Sequence, residues 1–188
     1  MKKTWLFVIA VLAVIAFALV GTYNGLVSSQ NAVTQAQADV QVDLQRRYDL
    51  IPNVVNSVKG YMSHESEIFE KIAEARAKIG SGNASEAEQG QSDLSSAVSR
   101  LLVLTENYPD LKANQQVENL ITELEGTENR IKTSRGVFNE VATKYNTKVR
   151  SFPTNLVAGI FGFQPVNLYQ ASSDAQVAPT VDLNSSSR

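Results

Sequence analysis

Residues 39–65 read DVQVDLQRRYDLIPNVVNSVKGYMSHE, and this stretch decides the fold. Val40, Leu44, Arg47, Ile51, Val55, Val58 and Met62 follow one another in steps of three or four, which puts them on one face of an α-helix. The same steps run backwards through Gln37, Val33, Gln30 and Leu26 to Tyr23, so the spacing predicts one long helix. Pro52 falls inside it. A proline in a helix interior removes a hydrogen bond and costs about 3 kcal/mol. Asp49 offers a cap for a fresh helix with Pro52 in its first turn. A bend or a break at residues 48–52 is therefore expected.

N-terminal to this helix, Met1-Lys2-Lys3 precedes a stretch from Thr4 to Val20 without any charged residue. Extended to Tyr23, it has about 20 residues, enough to cross a hydrocarbon core of roughly 30 Å. Ala16-Phe17-Ala18 resembles a signal-peptide cleavage site. The apolar run continues past it, however, and helical spacing resumes at once, which favours an uncleaved signal-anchor. Lys2 and Lys3 lie before the span, and Gly21–Val40 has no Lys or Arg, so the charge rule puts the N-terminus in the cytoplasm and the body outside.

The remaining pattern is also helical. Ser63 precedes Glu65 and Glu67 as an N-cap would, and a second helix is predicted through Ile68, Phe69, Ile72, Ala75 and Ile79. Residues 80–90, rich in Gly, Ser, Asn and Ala, read as a loop. A third helix carries Leu94, Ala97, Val98, Leu101, Leu102 and Leu104 and stops before Pro109. A fourth, long helix carries Val117, Leu120, Leu124, Ile131, Phe138, Val141, Tyr145 and Phe152, with Thr127 and Ser134 in the gaps, and ends at Pro153. The fold class is thus all-α: an antiparallel four-helix bundle with two long and two short helices, preceded by one N-terminal transmembrane helix. The expected divisions are a basic N-terminus (1–3), the anchor (4–23), the bundle (24–165) and a flexible C-terminal tail (166–188).

If the long helices are antiparallel and turn near residues 62 and 114, facing positions sum to about 175. This register sets Arg47 opposite Glu128, Asp43 near Lys132, Asp39 near Arg135 and Phe152 near Tyr23. The short helices cover only the distal half, leaving a two-helix stalk next to the membrane.

The residues now assembled resemble the LemA family of bacterial membrane proteins. The matching elements are Tyr23–Val27, the stretch Arg46-Arg47-Tyr48-Asp49-Leu50-Ile51-Pro52-Asn53, Val58-Lys59-Gly60-Tyr61 and Ala75-Arg76. Further on come Glu106–Asn114, Glu123-Leu124, Thr127–Ile131, Tyr145-Asn146, Phe152-Pro153 and Gly162-Phe163. The resemblance covers about residues 20–165. It implies a single N-terminal span and a mainly helical soluble part, with no agreed enzymatic activity and no catalytic residues to assign. It also implies a body on the cytoplasmic side, against the charge rule.

Composition excludes several chemistries. The chain has 188 residues, a net charge of −2, no cysteine and one histidine, so thiolate chemistry is absent and no basic field attracts nucleic acid. A di-metal carboxylate site in a bundle needs Glu-x-x-His on two helices, but Tyr61 stands three residues before His64. His64-Glu65 begins like a zinc-protease motif, yet position 68 is Ile. Both residues fit a helix–helix corner with a capping role better. Gly80-Ser81-Gly82 lacks the Lys of a phosphate loop. No cofactor is expected.

Arg46 and Arg47, next to Tyr48 and Asp49, present two guanidiniums suited to a carboxylate or phosphate. The competing reading is a pair network with Glu125 and Glu128, and the facing register favours it. Phe152–Phe163, FPTNLVAGIFGF, is too apolar for a linker, and its register makes Tyr23, Phe152, Phe161 and Phe163 candidates for membrane contact. Folding back over the stalk is the alternative. The sequence therefore predicts a membrane-anchored helical scaffold or protein-interaction module of the bacterial envelope, without intrinsic catalysis. Its partner surface is expected at the distal end near His64, Tyr108 and Pro109, with Arg46, Arg47 and Asp49 second. Gln30 and Gln37 at seam positions admit a homo-oligomer. An accessory subunit or regulator of a membrane enzyme such as a protease, or a membrane-shaping structural protein, is the alternative.

Overall fold

The computed structural model describes residues 2–170, and every regular element among them is a helix. α1 spans Lys2–Val58, α2 Ser66–Ile79, α3 Ala84–Thr105, α4 Pro109–Lys112, α5 Gln115–Arg150 and α6 Thr154–Phe161. The N-terminal part of α1 is long and apolar enough to cross a membrane, and none of it is buried against the rest of the chain.

α1 passes through Pro52 without a break. Ile51, Val54 and Val58 are each at most 1% exposed. Burying such a side chain contributes about 1.5–3 kcal/mol, so three of them outweigh the roughly 3 kcal/mol lost at the proline. Asp49 does not start a new helix; its carboxylate accepts a hydrogen bond from Gln45 one turn earlier.

α1 and α5 pack along their lengths, with partners that descend on one helix as they ascend on the other. Lys148 donates to Ser29 (2.7 Å), Ser134 to Asp43 (2.5 Å) and Arg47 to Glu128 (3.1 Å). The pairing is antiparallel, and the expected Arg47–Glu128 match is present. Asp43 meets Ser134 rather than Lys132. Asp39 accepts from Gln35 of its own helix, while the Arg135 guanidinium lies over the Tyr169 ring. The α1 seam is Leu26, Val33, Ala36, Val40 and Leu44; Gln30 and Gln37 point outward, because small Ala36 takes the place expected for Gln37.

α2 and α3 form a second antiparallel pair, with Lys78 bonded to Asp93 at 2.6 Å. Two expectations fail here. Ser63 does not cap α2, which opens after Glu65 with no side-chain cap bond; fully buried Met62 fixes the corner and delays the helix. The loop expected over residues 80–90 is mostly helix. Asn83 accepts from the backbone N–H groups of Ser85 and Glu86 and starts α3 at Ala84. Gly90 is buried there, and a Cβ on it would lie 2.8 Å from the Ala75 carbonyl oxygen and 2.9 Å from the Ile79 nitrogen. Its glycine serves close helix packing, not flexibility.

Two buried clusters result. The distal one joins Ile51, Val54, Val58 and Met62 with residues of α2, α3 and α5. The proximal one joins α1 and α5 with Val157, Ala158 and Phe163. The membrane-proximal half is therefore not a bare two-helix stalk. After α6 the chain runs back along α5, where Asn146 exchanges two hydrogen bonds (2.8 Å) with the Val166 backbone and Asn139 two (2.9 Å) with that of Tyr169. The geometry follows from pitch. Seven helical residues rise about 10.5 Å, and three extended residues span about 10 Å. The tail expected from residue 166 thus begins as a docked strap; Met1 and residues 171–188 lie outside the described residues. Replacing Asn139 and Asn146 by Ala is expected to speed amide exchange at residues 164–170 while leaving the α2–α3 pair unchanged, as read by hydrogen–deuterium exchange.

Candidate functional site

Arg46-Arg47-Tyr48-Asp49 projects four side chains in four directions, as consecutive helical residues must. Arg46 lies on the surface beside Glu123 (2.7 Å), an exposed pair of little energetic weight. Glu125, the other acid expected here, is exposed. Tyr48 lies under the Arg76 guanidinium, 4.4 Å from the ring centroid. Asp49 is exposed.

Arg47 occupies the seam between Leu44 and Ile51 and is 0% exposed. It donates to Ser95 (2.7 Å), to both Glu128 oxygens (3.1 and 3.3 Å), and to the Gln91 side chain and carbonyl. Fully buried Thr127 faces the same layer from α5, between Leu124 and Ile131. The layer thus separates the two apolar clusters, two to three turns in from the start of α3. Nearby Arg135 is lowered from its ordinary arginine pKa, first by burial and then by the charge of Arg47. The Arg47 guanidinium, named as an interaction candidate, is enclosed here and donates to internal acceptors. A slip of one helix turn would leave these groups unpaired.

The other interaction candidates lie at the distal end. His64 is exposed at the α1–α2 corner. The Tyr108 hydroxyl donates to Glu65 (3.2 Å), and the Asn114 amide donates to the Tyr61 hydroxyl (3.3 Å). Burial, then the Glu65 carboxylate, raises the Tyr108 phenol above its usual pKa. The expected capping role of Glu65 becomes a tie between two corners. In the sequence Glu65 reads as a capping residue, and Tyr61 and Asn114 only as parts of the family motifs; nothing in their spacing signals the bonds that tie these corners.

At the opposite end, Tyr23 packs on Phe161 (4.8 Å between ring centroids) and Phe163 (5.8 Å). Phe163, a membrane-contact candidate, is only 8% exposed and belongs to the proximal core. Phe152 is 80% exposed and free of the pairing with Tyr23 that the register suggested, because α5 ends at Arg150.

Shallow clefts mark the surface of the described residues. One, of about 260 Å³, lies between α2 and α3 and includes Lys71, Lys78, Asp93 and Arg100. Another, of about 490 Å³, lies between α1 and α5 and includes Ala32, Val141, Tyr145 and Lys148. Neither includes Arg47, Asp49 or Glu128. The buried Tyr145 hydroxyl has no hydrogen-bond partner among the described residues, and burial pushes its pKa up. Tyr145→Phe is therefore expected to hold or raise thermal stability, by up to about 1 kcal/mol, since it removes an unpaired buried polar group.

A sequence model of the LemA family matches residues 36–183. Protein LemA of Metamycoplasma hominis is 30% identical over 174 residues, covering 92% of this chain and 80% of that protein. Magnetosome protein MamQ 2 of Paramagnetospirillum magneticum is 27% identical over 194 residues, 88% of this chain and 71% of its own. Magnetosome protein MamQ of Magnetospirillum gryphiswaldense is 25% identical over 190 residues, with 86% and 70% covered. With a family match across most of its length and a relative of this identity and coverage, the chain belongs to the LemA family.

Proposed function

We propose that this protein is a membrane-anchored scaffold or interaction module. Its long and short helices form an antiparallel four-helix bundle that holds a docking surface away from the bilayer. One observation carries the reading: a single uninterrupted helix joins an uncovered apolar segment to the distal corner. The 35 residues from Asn24 to Val58 span about 53 Å, which sets the height of the tip. His64, Tyr61 and Tyr108 belong to that tip, and they are the residues through which a protein partner docks. Exposed Arg46 and Asp49 make a secondary surface.

The enclosure of Arg47 supports a scaffold over an enzyme. An active centre needs titratable groups converging on an open cleft, whereas the Arg47 guanidinium is enclosed in the packing and bonded to Glu128, Ser95 and Gln91, with its Nε unpaired among the described residues. The anchor is uncleaved and sits in the inner membrane, with the N-terminus inside and the body outside.

The test is photocrosslinking in intact cells from positions 61, 64 and 108, compared with exposed position 137 on the flank of α5. A discrete crosslinked protein from the tip supports the reading; labelling spread equally over tip and flank sinks it. Protease treatment of spheroplasts reads sidedness. Digestion of the body supports the external orientation, and protection until lysis reverses it.

A further inference from the structure

The membrane-proximal end of the body carries a second apolar surface, separate from the anchor. α6 buries Val157 and Ala158 against the body. On its outer side Leu156 is 57%, Ile160 76% and Phe161 58% exposed, and Phe152 precedes them. α6 has no charged residue. Its ring contact to Tyr23 places this surface at the foot of the anchor, where it continues the apolar belt of α1.

Charge is distributed to match. The chain as a whole is acidic, with a net charge of −2. Yet Gly21–Ala38 and Val141–Gln170 contain no Asp or Glu, while Lys144, Lys148 and Arg150 lie on the last turns of α5. Lys148 donates to Ser29, six residues and about 9 Å beyond Tyr23. Arg150 is closer still to the end of α5 and is exposed. Lys144 pairs with Glu140, one turn farther from the membrane.

We infer that α6 is an interfacial foot. Phe152, Leu156, Ile160 and Phe161 enter the headgroup–acyl boundary of the leaflet from which the body emerges, and Lys148 and Arg150 bind its anionic phospholipid headgroups. An apolar helix face with cations at its margin is what such a surface recognises. The foot gives the body a second point of attachment to the bilayer, beside the anchor.

The inference rests on the anchor being inserted, and the experiment separates the two. The sole tryptophan, Trp5, lies in the anchor. The full chain is reconstituted in bilayers of phosphatidylcholine, with or without phosphatidylglycerol, containing phospholipids brominated at a shallow acyl position. Three proteins are compared: the native chain, Trp5→Phe with Ile160→Trp, and Trp5→Phe with Val103→Trp. Val103 is exposed near the distal end and reports water. Leu156→Trp in the Trp5→Phe background repeats the measurement should the Ile160→Trp chain fail to fold.

Quenching of Trp5 by bromolipid shows insertion. The foot is supported when the tryptophan at 160 is also quenched by bromolipid and resists iodide, and when this effect is stronger in the anionic bilayer. It is overturned when Trp5 is quenched but the tryptophan at 160 behaves like that at 103. Equal behaviour in both bilayers overturns the headgroup assignment. Absence of Trp5 quenching overturns anchoring itself.

Discussion

Arg47→Ala is expected to lower the stability of the body by about 3 kcal/mol, because it leaves Glu128, Gln91 and Ser95 facing a cavity where a buried cation stood. Loss of one partner of a fully buried pair costs roughly 3–5 kcal/mol. Glu128 keeps 21% side-chain exposure, so water compensates part of its lost partner and the lower end of that range applies. For a chain of this size the melting temperature falls by about 6–12 °C, read by circular dichroism of the detergent-solubilised protein. A cycle of Arg47→Met and Glu128→Gln isolates the pair. The two single losses are expected to exceed the double by at least about 1 kcal/mol; strictly additive losses would contradict the ion pair. Exchanging the charges, Arg47→Glu with Glu128→Arg, should restore part of the stability that either single reversal removes.

Gly90→Ala and Gly136→Ala are expected to move stability in opposite directions, although both replace a helical glycine. Helix propensity favours Ala over Gly by about 1 kcal/mol, and at exposed Gly136 nothing lies within 4 Å of the new methyl. That variant gains about 0.5–1 kcal/mol. At Gly90 the methyl would press on the α2 backbone at Ala75 and Ile79, which cannot rotate aside as a side chain can. Overpacking of this kind costs about 1–3 kcal/mol, so the net change is a loss of up to about 2 kcal/mol, and Gly90→Val should lose more. A stabilised Gly90→Ala protein would mean that α2 and α3 are farther apart than the 2.8 Å approach to the Ala75 carbonyl implies.

The long helices were legible because a three-four period specifies one buried face, and two such faces of similar length dictate their partner. The Arg47–Glu128 pair followed from that register. Neighbouring pairs did not, since long side chains reach either way along a helix and Asp43 found Ser134 instead of Lys132. Periodicity shows that a face is covered but not what covers it. Hence Phe152 and Phe163, equivalent as aromatics near a helix end, separated into an exposed and a buried residue. Glycine carries two opposite meanings, freedom in a turn and proximity in a helix pair, and composition alone gave the wrong one at Gly90. The strap bonded to Asn139 and Asn146 has no apolar period; its signal was two asparagines seven residues apart on a helix otherwise fully accounted for.

The unbroken course of α1 makes the protein a pointer whose pivot lies in the lipid. With the anchor in a bilayer, a span tilts by about 20°, more where the hydrocarbon is thin and less where it is thick. Over the roughly 53 Å between Asn24 and Val58, such a tilt displaces the tip sideways by about 18 Å. Where the protein reaches is thus written partly in the thickness of its membrane.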